Sequence, residues 1–181
     1  MTKFTIIIAS ILFFYSCKTE EPKSLTADSV ELTYSNDWTG GVSLRITRKG
    51  IENYNLYDIH GKTDNETCYK DTLNNQAIDS INSYLALLKT ERIDSLYDGN
   101  CEDCGAYIFI INYPDTVIKS MIIGTHKFKN NLSELAKFLL EQRPKTENRI
   151  DTCIEFKTTK FLTLPQLPND FHKFIPPKEP K

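Results

Sequence analysis

The feature that most limits how this chain can fold is a change in the spacing of its apolar residues. From residue 30 to 59 apolar and polar side chains alternate, most clearly where Val42, Leu44 and Ile46 fall on one side of a strand. Alternation with a period of two is typical of strands that bury one face. From residue 75 the spacing lengthens to about 3.6 residues, the period of an amphipathic helix. The chain is therefore expected to pack a sheet against a helix.

Four strands are predicted before this helix. Turns at Gly40-Gly41 and Lys49-Gly50 separate the second strand from its neighbours, and short turns of this kind favour antiparallel pairing. The predicted strands are residues 30–34, 41–50, 53–59 and a short one at 66–70. Together they predict an antiparallel meander.

Two helices and a hairpin are predicted in the second half of the domain. The first helix begins at an Asn74 or Asn75 cap, and its apolar side carries Ile78, Ile81, Leu85 and Leu88. A hairpin follows, with strands at 107–111 and 116–123. The second helix is expected to start at Asn131, because Asn131 and Glu134 have the spacing of a capping box.

The order of these elements, ββββ-α-ββ-α, indicates the α+β class. We expect residues 29–143 to form one globular domain, a single antiparallel sheet of about six strands with two helices packed on one face. Residues 144–181 are predicted to be a C-terminal extension, with short strands at 153–156 and 161–164 and a proline-rich tail. This order loosely resembles small uncharacterised α+β domains of secreted bacterial proteins, a likeness of topology that carries no catalytic motif.

The N-terminus has the layout of a secretory signal. Lys3 is the only charge before an uncharged, mainly apolar run at residues 4–15, and a small residue, Ser16, precedes Cys17. A helix that crosses a bilayer needs about 20 apolar residues, so this run is too short for a permanent span. The alternative is a buried first strand, residues 6–14, in a cytosolic domain.

The segment Phe14-Tyr15-Ser16-Cys17 resembles the lipid-attachment box of bacterial lipoprotein signal peptides, although Phe14 stands where Leu is usual. The resemblance implies that residues 1–16 are removed as a signal peptide and that Cys17 carries a diacylglycerol thioether and an amide-linked acyl chain. Residues 17–28 would then tether the domain to the outer membrane of the cell envelope. Residues 18–21 resemble an export signal to the cell surface, and the alternative is a solvated tether that faces the periplasm.

Four further cysteines, Cys68, Cys101, Cys104 and Cys153, lie inside the mature chain. An exported protein meets an oxidising compartment, so disulfides among these four are expected, with three full pairings open. A bridge from Cys68 to the Cys101–Cys104 loop would tie the first sheet edge to the central hairpin. The alternatives are a four-thiolate zinc site and a redox dithiol at the CxxC motif, which lacks the strand-before, helix-after context of that class.

The pattern Asp-Ser/Thr-apolar recurs along the chain and resembles the acceptor motif of an O-glycosylation system for exported bacterial proteins. The resemblance implies Ser29, Thr72, Ser95 and Thr116 as candidate acceptors. The alternative is purely structural, because Asp, Ser and Thr favour turns and caps just before apolar elements.

Composition and motifs narrow the function further. The net charge of −2 and the pI near 5.9 argue against the basic surface typical of nucleic-acid binders, so no nucleic-acid partner is expected. We find no catalytic constellation, metal signature or cofactor motif in the sequence. The chain is therefore expected to be a lipid-anchored, non-catalytic binding or accessory domain, in one version inhibitor-like or immunity-like, with the membrane and an envelope protein as partners. The alternatives are an envelope enzyme whose site comes from scattered polar residues and a zinc-stabilised module.

Overall fold

The computed structural model describes residues 22–36, 40–57, 67–100, 104–142, 144 and 148–161. These residues contain eight strands, two α-helices and two short 3₁₀ helices. In chain order they are β1 (Ser29–Asn36), β2 (Gly40–Thr47), β3 (Ile51–Tyr57), β4 (Thr67–Thr72), α1 (Asn75–Thr90), β5 (Leu96–Asp98), β6 (Ala106–Asn112), β7 (Val117–Ile123), η1 (Thr125–Lys127), α2 (Asn131–Glu141), β8 (Arg149–Ile150) and η2 (Thr158–Phe161).

All eight strands belong to one sheet, in the order β5-β7-β6-β1-β2-β3-β4-β8. The mixed α and β architecture is confirmed, with two more strands than expected. The additional strands, β5 and β8, have three and two residues, too few to show a period in the sequence. The β5–β7 pair is parallel and every other pair is antiparallel, so the sheet is not antiparallel throughout as predicted.

One face of the sheet, called here the helix face, forms the main core. The alternation in β1, β2 and β6 directs large apolar side chains to this face, where both helices bury theirs. The sheet contributes Val30, Leu32, Leu44, Ile46, Phe109 and Ile111, and the helices contribute Ile78, Ile81, Leu85, Leu88, Leu132, Leu135 and Leu139. The predicted packing of both helices on one face agrees with this core.

Side-chain caps set where each helix begins. The Asn74 side chain accepts a hydrogen bond from the Ala77 N–H at 2.8 Å, which confirms one of the two predicted caps of α1. The α2 cap is Asn130, one residue earlier than predicted. Its side chain accepts from the Ser133 N–H, and the Ser133 hydroxyl in turn accepts from the Asn130 N–H. Serine thus completes the capping box that we assigned to glutamate.

The fold begins before residue 29 and continues past residue 143, the bounds predicted for the domain. Leu25 and Ala27, in the segment predicted to be tether, are buried, and the Leu25 N–H donates to the Arg48 carbonyl at 2.9 Å. After α2, residues 148–161, called here the C-terminal strap, cross the face opposite the helices. The predicted strand at 153–156 is not formed, and its place is taken by β8 just before it. Residues 162–164 of the other predicted strand lie outside the described residues.

Polar contacts hold the strap on the second face. The Glu31 carboxylate accepts hydrogen bonds from the Thr158 N–H at 2.6 Å and from the Arg45 Nε at 2.8 Å. Arg45 also donates to the Glu155 carbonyl, and its guanidinium lies 5.3 Å from the centre of the Phe156 ring. Because every one of these strand residues points away from the helix face, the strap supplies a second, largely polar buried layer.

Candidate functional site

Among the described residues, β5 covers the outer side of strand β7 over only part of its length. The Met121 N–H donates to the Ser95 carbonyl, and the Gly99 N–H donates to the Ile123 carbonyl, both at 3.0 Å. Alternate residues of a strand direct their backbone groups to opposite sides, so those of Val117 and Lys119 point outward as those of Met121 do. Within the described part of the chain these outward groups have no backbone partner. Residues 117–119 are called here the open edge.

A cleft of about 320 Å³ lies beside the open edge. One wall is the end of α1, the second is the segment that leads from α1 into β5, and the third is β7 itself. Its lining residues are Leu88, Lys89, Glu91, Ile93, Ser95, Thr116, Val117, Ile118 and Lys119. The apolar members Leu88, Ile93 and Ile118 belong to the core or pack against it, so this edge cleft reaches the border of the core, and most of its accessible lining is polar.

Exposed apolar side chains concentrate around the edge cleft. Among the described residues four large hydrophobic side chains are strongly exposed, and three of them are Leu87, Leu96 and Val117, with exposed fractions of 48%, 51% and 50%. Val117, in the open edge, and Leu96, in β5, lie on the face of the sheet opposite the helices, whereas Leu87 is exposed on α1, one helical turn before Glu91. Exposed apolar clusters of this kind mark interaction surfaces more often than single exposed residues do.

The charges on the rim are of both signs. The Lys89 ammonium donates to the Asp115 carboxylate at 2.8 Å, and this hydrogen bond lowers the pKa of Asp115. Lys89 also lies 5.6 Å from the centre of the Tyr113 ring, and burial raises the pKa of that phenol to about 12. Lys119 is exposed and makes no ion pair with any described residue. Of the two lysines that line the cleft, Lys119 is therefore the one whose charge is available to a partner.

Two of the four candidate O-glycosylation residues meet at this cleft. Ser95 and Thr116 both line it and both are exposed. The other two lie elsewhere: Thr72 is exposed at the end of β4, and Ser29 is half-buried in β1, where its hydroxyl accepts from the Asn112 amide at 2.8 Å. Modification of any of the four remains a prediction.

A disulfide joins Cys68 of β4 to Cys153 of the strap, with a Cα–Cα separation of 5.4 Å. The expectation of a disulfide is thus confirmed, while the bridge from Cys68 to the CxxC loop is not formed. This bond also uses two of the four thiolates of the zinc alternative. Cys104 is disulfide-bonded as well, and Cys101 lies outside the described residues. Within the described ranges no three His, Cys, Asp or Glu side chains come together in a group suited to a metal ion.

Glu52 is a buried ionisable group that the sequence patterns did not single out. Its exposed fraction is 0%, and neither carboxyl oxygen has a hydrogen-bond partner among the described residues. Glu52 pairs with Ile46 of β2 on one side and with Asp71 of β4 on the other, so its side chain points to the helix face. It lies one residue before the strand that was predicted to begin at residue 53. Burial, and secondarily the Asp71 charge, raise the pKa of Glu52 from 4.5 to about 8.

Comparison with known proteins adds no relative: no model of a protein family matches the chain, and no curated protein sequence does either. No helix in the described ranges has the length and apolar composition needed to cross a membrane. The predicted signal peptide, residues 1–16, and the lipidation candidate Cys17 lie outside the described residues.

Proposed function

We propose that this chain is a lipid-anchored, non-catalytic binding domain of the cell envelope and that the edge cleft is its binding site. The observation that carries the proposal is the coincidence of the open edge and the cleft with exposed apolar side chains on both sides of them, Leu87 on α1 and Leu96 and Val117 on the opposite face of the sheet. A concave site in which apolar side chains lie beside polar groups is a common form of a recognition site.

The exposed apolar area is costly to leave in water. Covering an apolar side chain such as leucine contributes about 1.5 to 3 kcal/mol, so Leu87, Leu96 and Val117 offer a partner several kcal/mol before the costs of association. The same groups favour aggregation when a sheet edge lies beside them. A surface of this kind is best explained by a partner that covers it.

The anchor and the location form the second part of the proposal, and they rest on the resemblance of residues 14–17 to a lipoprotein signal. Acyl chains on Cys17 would hold the domain at the outer membrane, because each buried methylene contributes about 0.8 kcal/mol. The domain would face the periplasm or the cell surface. An inhibitor-like or immunity-like role, in which the domain neutralises an incoming toxin, fits this arrangement.

One observation favours an envelope enzyme as the second candidate. A carboxyl group whose pKa lies near neutrality, as that of Glu52 does, is typical of catalytic acids and bases. Against this, Glu52 is fully buried and does not line the edge cleft. If Glu52→Gln abolished an enzymatic activity of the purified protein without unfolding it, the enzyme hypothesis would replace the binding-domain hypothesis.

Site-specific photocrosslinking in intact cells tests the binding role. A photoreactive amino acid replaces Leu96 or Val117 in a tagged copy of the protein. The matched control carries it in place of Lys70, an exposed residue of β4 near the opposite end of the strand order. We expect one protein adduct of defined mass from positions 96 and 117, which lie beside the cleft, and none from position 70. Equal adducts at all three positions, or none at the cleft, would refute a binding site there.

The anchor has its own test. We expect the wild-type chain to incorporate labelled fatty acid and to fractionate with membranes, and Cys17→Ser to lose both properties. Membrane attachment that survives this substitution would contradict the lipoprotein assignment and leave the edge cleft unaffected.

A further inference from the structure

The open edge presents main-chain groups as well as side chains. Val117 and Lys119 each direct an N–H and a C=O away from β6, and β5 pairs with β7 only from Met121 onward. An unpaired row of donors and acceptors on a strand is a template for another extended chain. The chemistry of the edge therefore selects an extended backbone rather than a helix or a small molecule.

The edge cleft has the correct position to take a side chain from such a backbone. Ile118 shares the helix face with Ile111, and the cleft lies on that face, between Ile118 and Leu88 of α1. A strand added to β7 would alternate its side chains above and below the sheet. One of them would enter the cleft, whose volume of about 320 Å³ is ample for a leucine-sized group.

Neighbouring side chains of the added strand would lie on the opposite face, beside Lys119. Lys119 pairs with Ile110 on that face and is exposed. Opposite charges directly across a strand pair are stabilising and like charges are destabilising. An acidic side chain is thus favoured opposite Lys119, whereas a second copy of this chain paired through the same edge would bring two Lys119 ammonium groups together.

We infer that the edge cleft binds an extended segment of a partner protein by strand addition to residues 117–119, with an apolar side chain in the cleft and an acidic side chain opposite Lys119. The inference rests on the proposed binding role and specifies the chemistry of the partner. Because β5 pairs with β7 from Met121 onward, only a short segment of the partner can pair with the open edge. The side chains of that segment therefore supply much of the selectivity.

The probe is a fluorescein-labelled peptide, Thr-Val-Glu-Leu-Glu-Val-Thr, in which the central leucine and the two flanking glutamates point to opposite faces of a strand. Its binding to the purified full chain is measured by fluorescence anisotropy. The matched control peptide has lysine in place of both glutamates. We expect the acidic peptide to bind at least tenfold more tightly than the basic one, and equal affinities would overturn the charge assignment.

Two variants at one position separate main-chain from side-chain recognition. Lys119→Ala removes the ammonium and keeps the outward N–H, whereas Lys119→Pro removes both. Proline is tolerated at edge positions whose N–H faces solvent, so both variants should fold, which their thermal unfolding checks. We expect a loss of a few-fold for alanine and of tenfold or more beyond that for proline. Equal affinities for the two variants would show that the edge does not pair with the peptide.

Hydrogen exchange provides a measurement that needs no variant. Saturating peptide should slow exchange of the Val117 and Lys119 amides at least tenfold and leave exposed loop amides unchanged. Slow exchange of these amides without peptide would show that the edge is already covered. If the exchange rate does not depend on protein concentration, this chain itself covers the edge, and if it does, a second copy covers it. Either result overturns the inference. An adduct at Leu96 in cells with no effect of the peptide on the edge would refute strand addition and leave the binding role intact.

Discussion

Glu52 is an acidic side chain whose ionisation is opposed by its burial in this fold. In the folded chain its carboxyl group is buried, has no hydrogen-bond partner in the described part of the chain and lies beside Asp71, so its pKa is raised from 4.5 to about 8. In the unfolded chain the pKa returns to its ordinary value. The folded state therefore binds a proton more tightly, and the stability that protonation supplies, complete below pH 4.5, is lost as the pH rises to about 8.

The size of this effect follows from the two pKa values. Since a tenfold change in proton affinity is worth about 1.4 kcal/mol, the interval from 4.5 to about 8 corresponds to about 5 kcal/mol. By linkage, about 1 kcal/mol of it is lost at pH 5, about 3 kcal/mol at pH 7 and nearly all of it at pH 9. A glutamine at position 52 has the same shape and no charge, so it should escape this loss.

The assay is denaturant unfolding of wild type and Glu52→Gln at pH 5, 7 and 9 with the disulfides intact. We expect the stability of the variant relative to wild type to grow by about 4 kcal/mol between pH 5 and pH 9. The change with pH is diagnostic, because the glutamine amide adds a constant offset of its own. Glu134→Gln, at a half-exposed carboxylate on α2, is the matched control for the change from a carboxylate to an amide. If the difference in free energy of unfolding between Glu52→Gln and wild type stays constant from pH 5 to pH 9, the assignment of a buried carboxyl group with a raised pKa is refuted.

Three further predictions concern the elements that hold the sheet and its layers. Replacing both Cys68 and Cys153 with alanine opens a cross-link that spans 85 residues, and we expect about 4 to 5 kcal/mol lower stability in chemical denaturation without reductant; a loss under about 1 kcal/mol would contradict the role of this bond. Arg45→Met leaves the buried Glu31 carboxylate without its guanidinium partner and should lower the free energy of unfolding by about 3 kcal/mol. Lys137→Met, at an exposed ion pair, should lower it by less than about 1 kcal/mol in the same assay. Similar losses for the two variants would argue against the strap contacts. Asn74→Ala should lower the melting temperature by removing about 1 kcal/mol of capping energy at α1, and Asn74→Ser should restore most of it.

Local patterns were sufficient for the larger elements. The alternation around Leu44 and the helical spacing from Ile78 to Leu88 match β2 and α1, because both patterns repeat over enough residues to identify a period. The short strands β5 and β8 gave no such signal, since their two or three residues are strands only through their pairing with β7 and β4. The cap of α2 was misplaced by one residue because Asn130 and Asn131 are equally suited to the position and only the backbone geometry distinguishes them.

The sequence by itself determined the periods of the strands and helices, the number of internal cysteines and the acceptor-like tripeptides, all of which depend on residues close together in the chain. The tertiary structure alone decided that Cys68 bonds Cys153, that Ser95 and Thr116 line one cleft beside the open edge, and that Glu52 is sealed inside the helix face. Each of these depends on strand order and register, which bring together residues from distant parts of the chain. Periodicity states which face of an element is buried, and it carries no information about which distant element will cover that face.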